Sequence, residues 1–211
     1  YGAQLFALRY EQARSAEILD LIRDAVEQNP GIPAFRIALA RLYLQLGEVD
    51  EARAHYLPLL SDVSGTIPND GNQPIAIAQL ADICDTIDDD PTHGGLTEWL
   101  TPRANQYIVV GTALDCWGSV QRSLGTLARV AGRLDDAETR LEQALIANQR
   151  LGSARWVTRT QFDLARVLAQ RDGPGDRDRA IELVSAARPV AEQHGLRHTL
   201  TLLDGLDLDR A

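Results

Sequence analysis

The chain has 211 residues, is 45% hydrophobic but only 5% aromatic, and carries a formal net charge of -9. That length suits one domain or a compact repeat array with a core of Ala, Leu, Val and Ile, and the acidic balance argues against general affinity for nucleic-acid phosphates. All 21 basic residues are arginine, which excludes a P-loop lysine and a lysine Schiff base.

From the beginning of the chain, residues 3–28 read as one amphipathic helix or a hairpin with a poor turn. That element closes at "QNPGIP", where Pro30 and Pro33 interrupt it. The next stretch, 34–64, is the clearest helical hairpin. Ala40, Tyr43 and Leu44 recur at helical spacing in its first half, and Ala52, Tyr56 and Leu59 in its second. Small Ala40 facing small Ala52 allows a close helix approach, and Gly47 suits the left-handed position that ends a helix. A second hairpin, 74–104, puts Ala81 and Cys84 on its first helix and Leu96 and Leu100 on its second, which Gly94, Gly95 and Pro102 weaken. Tyr107 to Val110 reads as a short extended or buried connector. A third hairpin, 118–151, repeats the register of the first: Gly125 answers Ala40, Gly132 answers Gly47, and Ala137, Leu141 and Ala144 answer Ala52, Tyr56 and Leu59. A fourth, 158–194, has Ala165, Ala180, Val184 and Ala187 around a longer turn, "RDGPGDRD". Residues 196–204 form a capping helix.

The recurring small–large–small spacing resembles the tetratricopeptide repeat, a helix-turn-helix of 34 residues. Arg36 stands where that repeat has an early Trp, and its closing Pro is absent. The resemblance implies an all-α fold, a right-handed superhelix of stacked hairpins over residues 1–211. Three phrases, "NPGIPAFRIALARLYLQLGEVDEAR", "TPRANQYIVVG" and "GSARWVTRTQFDLARVL", resemble more narrowly the C-terminal repeats of actinobacterial STAND-type ATPase regulators. Members of that group are fused to adenylate cyclase domains or to LuxR-type helix-turn-helix domains. Their Walker motifs, cyclase carboxylates and recognition helix have no counterpart in this sequence. The chain has no Met, so Tyr1 is expected to lie inside a larger polypeptide.

No motif of nucleotide binding, nucleophile elbow or zincin type occurs. Cys84 and Cys116 are expected to be buried thiols in helical surroundings rather than a disulfide. His194 and His198 are four apart, but Gly195 between them ends a helix, so surface histidines are expected rather than zinc ligands. Asp88 to Asp90 with His93 read as a solvated acidic turn. Trp99, Trp117 and Trp156 read as packing groups. No cofactor and no metal is expected. No apolar run approaches the roughly 18 residues of a membrane span, and a cytoplasmic setting is expected.

In the repeat the chain resembles, certain positions of each first helix line the concave groove. Carried over, these are Arg41 and Gln45, then Asp82 and Asp85, then Arg122 and Arg129, then Arg159, Phe162 and Arg166. Arg122/Arg129 and Arg159/Arg166 are each seven apart and so lie along one helix face. Such guanidiniums receive a carboxylate or phosphate, or pair with Asp82, Asp85, Asp163 or Glu138. On the groove reading, Arg122 and Arg166 are dispensable for stability. The expected function is a non-catalytic interaction and regulatory module of a multidomain signalling ATPase or transcriptional regulator. Its partner is a protein or peptide, including the chain's own N-terminal ATPase domain, and neither nucleic acid nor membrane. The alternative is a sensor that reads a small anionic inducer or acidic peptide through the inner arginines.

Overall fold

The computed structural model of the chain describes residues 2–87, 94–110 and 115–208. These form an all-α helical-repeat fold with one small two-stranded sheet. The acidic turn Asp88 to Asp90 and His93 lie outside the described residues. The chain divides into two compact units: Tyr1–Arg103 with Ile108–Trp117, and Ala104–Tyr107 with Gly118–Ala211.

In the first unit, α1 (Gly2–Glu11) and α2 (Leu19–Gln28) flank a short 3-10 turn at Ser15–Glu17. The early stretch is thus two helices. The break falls at Ala13, whose φ of 55 is a left-handed value that no uninterrupted helix contains. Pro33 opens α3 (Pro33–Leu46) at its first turn, where a missing N–H costs nothing. α4 (Val49–Leu60) follows after a tight turn. Gly47 makes that turn with φ 83. Its N–H donates to the Leu44 carbonyl, and the Glu48 N–H donates to the Tyr43 carbonyl. This paired closure satisfies two helix-end carbonyls and needs the conformation that glycine adopts without steric cost. Ala40 and Ala52 are both fully buried between the two helices, with Tyr56 beside them at 1% exposure.

The short α5 (Val63–Thr66) leads into α6 (Gln73–Ile87), which packs on α3, and α7 (Gly94–Leu100) packs on α5 and α6. A 3-10 turn, Thr101–Arg103, ends that hairpin. Tyr107–Val110 is strand β1, and Asp115–Ser119 is strand β2, which pairs with it. Cys116 therefore sits on a strand, half-buried, while Cys84 is buried in α6; the two are not joined in a disulfide.

The second unit is a run of neighbour-on-neighbour helices. They are α8 (Val120–Val130), α9 (Leu134–Leu151), α10 (Ala154–Arg171), α11 (Asp176–Gln193) and α12 (Arg197–Asp204). A Cβ placed on Gly125 of α8 would lie 2.7 Å from Leu141 Cγ and 3.3 Å from the Ala137 carbonyl oxygen. Glycine is what lets α8 lie directly on α9. The core of this unit gathers Ala128, Ala137, Leu141, Leu164, Leu168 and Ala180. Each buried leucine contributes about 1.5–3 kcal/mol. Leading into it, the Ser119 N–H donates to Asn148 Oδ1 at 2.9 Å, and Asn148 Nδ2 donates to Thr160 Oγ1 at 3.0 Å. These bonds tie the end of β2 to α9 and α10.

One ion network clamps the far end of α10. Arg171 Nη1 bonds Asp135 Oδ1 (2.9 Å) and Glu138 Oε2 (2.6 Å) on α9. Its Nη2 bonds Asp176 Oδ1 at 2.7 Å, where α11 begins. Arg179 of α11 adds ion pairs with Glu138 and Glu142. The Arg171 fork holds the Asp176 carboxyl down to about 2, and its three carboxylate bonds raise the Arg171 guanidinium above its ordinary value.

Candidate functional site

The residues expected to face a groove form two side-chain clusters, one inside each unit. In the first unit Arg41 is only 4% exposed. Its guanidinium carbon lies 4.3 Å from the Tyr10 ring centroid and 4.9 Å from the Trp117 ring centroid. Its Nη1 is 3.6 Å from Asp82 Oδ2 on α6. Stacking between two aromatic faces suits the planar, weakly hydrated guanidinium and lets the charge be buried. One turn further along α3, Gln45 Nε2 donates to the Tyr10 carbonyl at 3.0 Å and Gln45 Oε1 accepts from Ser15 Oγ. Gln45 thereby fastens α1 and the 3-10 turn to α3. Asp85, one turn on from Asp82, is buried at 1% exposure.

In the second unit the centre is Asp163 of α10, 1% exposed. Its Oδ2 lies 2.7 Å from Arg122 Nε on α8. Its Oδ1 lies 3.4 Å from Arg159 Nε and 4.0 Å from Arg166 Nη2. Phe162 is 4% exposed, with the Arg159 and Arg166 guanidiniums 5.6 and 5.2 Å from its ring centroid. Arg122 lies 5.3 Å from the Trp156 ring centroid. Arg129 Nη1 donates to Gln170 Oε1 at 2.9 Å. Arg159 Nη1 is 3.2 Å from His198 Nε2 on α12.

The structure therefore brings Arg122, Arg159, Phe162 and Arg166 together around one carboxylate. Arg129 joins the same two helices through Gln170, and Arg41, Gln45 and Asp82 form a separate set. Arg122 differs from the expectation of dispensability. At 1% exposure it is among the largest fully buried side chains, and a carboxylate partner keeps its charge tolerable there. Arg166, with its side chain 22% exposed, reaches water. Glu138 takes Arg171 and Arg179 as partners. The sequence offers Asp163 only as one of several ion-pair partners for the arginines, yet it is the centre of the cluster. Its position four after Arg159 and three before Arg166 was the available signal.

The aromatic groups divide. Trp117 and Trp156 are 3% exposed and packed. Trp99 is half-buried, with the Arg103 guanidinium 3.8 Å from its ring centroid. His194 caps the end of α11, Gly195 has φ 65, and His198 lies on α12, so the two histidines do not share one helix. Among the described residues no group of three or more His, Cys, Asp or Glu side chains could hold a metal ion. Among them, too, no helix is long and apolar enough to cross a membrane.

Helical hairpins closed by glycine turns, with charged residues absorbed into inter-helix ties, define a repeat scaffold. Comparison with known families finds a repeat of this kind in two segments of the chain. Residues 8–65, in the first unit, match a tetratricopeptide repeat model, and residues 118–143, in the second, match another. The chain thus carries a tetratricopeptide-repeat region, a kind of domain that is typically non-catalytic and generally mediates protein–protein interaction. No curated protein and no solved structure matches the chain.

Proposed function

We propose that the chain is a non-catalytic interaction and regulatory module of a multidomain signalling ATPase or transcriptional regulator. Its partner is a protein, either a separate one or the STAND-type ATPase of its own polypeptide. The observation that carries this reading is the presence of a tetratricopeptide match in each of the two units. Stacked hairpins of this kind offer extended surfaces for a peptide or a folded partner. The charged side chains support it as well. Arg41, Arg122 and Arg159 are buried against aspartates and aromatic rings, which is the chemistry of a scaffold.

A second reading, a sensor for a small anionic inducer, is favoured by one feature. Arg166 and Phe162 place a partly exposed guanidinium beside an aromatic ring, an arrangement suited to a carboxylate or phosphate.

Calorimetric titration of the chain with a purified STAND-type ATPase module tests the first reading. Saturable binding at micromolar or tighter affinity is expected, and no heat at any concentration would remove the ATPase as partner. Melting curves with anionic metabolites and acidic peptides test the second. A stabilisation abolished in Arg166→Ala would establish the sensor.

A further inference from the structure

Helix α12 is eight residues long. Isolated helices shorter than about 12–15 residues are marginal in water, so α12 depends on the surface beneath it, which is α10 and α11. Leu203 packs with Phe162 and Ala187, and half-buried Leu200 and Leu206 close over the same cluster. Its polar ties include an exposed ion pair, Arg188 Nη1 to Asp204 Oδ1 at 2.7 Å. Another is the 3.2 Å approach of His198 Nε2 to Arg159 Nη1. The connection to α11 runs through Gly195 at φ 65, a one-residue left-handed joint.

This packing shows what the surface of α10 and α11 accepts: a helix with leucines at the spacing of Leu200 and Leu203, followed by an apolar residue just past its end, as Leu206 is here. It also shows where a different helix would gain. Arg159 meets an imidazole there, and a carboxylate in that place would add the attraction of opposite charges and the two acceptor oxygens that a guanidinium fork favours. Arg166, its guanidinium 5.2 Å from the Phe162 ring centroid, adds a second cation beside the same cluster.

We infer that α12 is a detachable strap over a helix-accepting groove on α10 and α11. The partner of that groove is an amphipathic helix with leucines at the α12 spacing and an acidic residue where α12 carries His198. The inference rests on the protein-interaction reading above and names the kind of partner that one surface takes. Strap and partner compete, so the partner's apparent affinity falls with the fraction of chains in which the groove is covered.

Amide hydrogen exchange on the whole chain tests the strap directly. Amides of residues 198–204 are expected to exchange at least a hundred-fold faster than those in the middle of α10 and α11, because the strap opens locally. His198→Glu is expected to slow that exchange about ten-fold. Exchange of α12 in step with α10 and α11 would overturn the inference, as would a His198→Glu chain that exchanges like the wild type. The partner chemistry is tested with synthetic peptides of residues 196–208 and the Leu203→Asp chain, in which the strap is unseated. The peptide bearing His198→Glu is expected to bind at least ten-fold tighter than the unsubstituted one. Equal affinities, or no binding by either, would overturn the acidic-helix partner. Loss of the α10–α11 helical signal in Leu203→Asp would show α12 to be core and overturn the strap. None of these outcomes bears on whether an ATPase module binds elsewhere on the chain, so the two readings fail separately.

Discussion

Replacing Asp163 with asparagine keeps the shape of the side chain and removes its charge. The carboxylate is 1% exposed and faces Arg122 Nε at 2.7 Å, Arg159 Nε at 3.4 Å and Arg166 Nη2 at 4.0 Å. In Asp163→Asn these three guanidiniums share a neutral amide. Removing one partner of a buried ion pair costs about 3–5 kcal/mol, chiefly through the charge left behind. With a urea dependence of roughly 2 kcal/mol per molar, the midpoint for the second unit falls by about 1.5–2.5 M. Urea unfolding followed by far-UV circular dichroism reads this directly. Arg166→Ala serves as the internal control. That side chain is the most distant of the three and 22% exposed, so its removal costs less than about 1 kcal/mol. The reasoning is refuted if Asp163→Asn stays within about 0.5 kcal/mol of wild type, or if Arg166→Ala is the more damaging substitution.

Ala52 is fully buried against α3. Ala52→Arg therefore forces a cation into a close helix contact, with an expected loss of more than about 3 kcal/mol and of cooperative melting in the first unit. Partial burial, with help from the charge of Arg36, holds the His55 imidazole below its ordinary 6.5. The folded chain therefore binds fewer protons than the unfolded one, and stability falls as pH drops below about 6.5. His55→Gln should flatten that limb in denaturation midpoints measured between pH 5 and 7. For Asp176 the folded carboxyl lies at about 2 against an ordinary 3.8. Its contribution is fully present above the ordinary value and disappears as pH falls towards 2. Acid titration of Asp176→Asn should therefore lack a transition component that the wild type shows in that window.

The α3–α4 hairpin was legible because three small residues fix it: Ala40 and Ala52 at the contact and Gly47 at the turn. Each acts through local geometry that a sequence displays. The start of α10 was placed at 158, whereas the helix begins at Ala154, where the Ser153 side chain accepts from the Trp156 N–H. That cap is readable in the sequence, since Ser153 directly follows Gly152 and precedes a helical run. Strand β2 was not anticipated: only its end, Gly118 and Ser119, falls within the hairpin expected at 118–151. "DCWGS" has no alternation to announce a strand, and its conformation depends on β1 and on the Asn148 bond to Ser119. The arginine face was legible as a spacing but not as an environment. Seven-residue separations show which side chains share a face. Whether that face meets water or Asp163 depends on how α8 crosses α10, which no single-helix pattern encodes.

The grip of Arg171 bears on how the chain responds to tension. In repeat arrays each hairpin touches only its neighbours, and stability is approximately a sum of single-repeat and neighbour-interface terms. A single side chain that holds carboxylates on α9 and at the start of α11 together makes three consecutive helices share one mechanical lock. Pulled from its ends, the second unit is expected to resist as a block and then rupture in one large step.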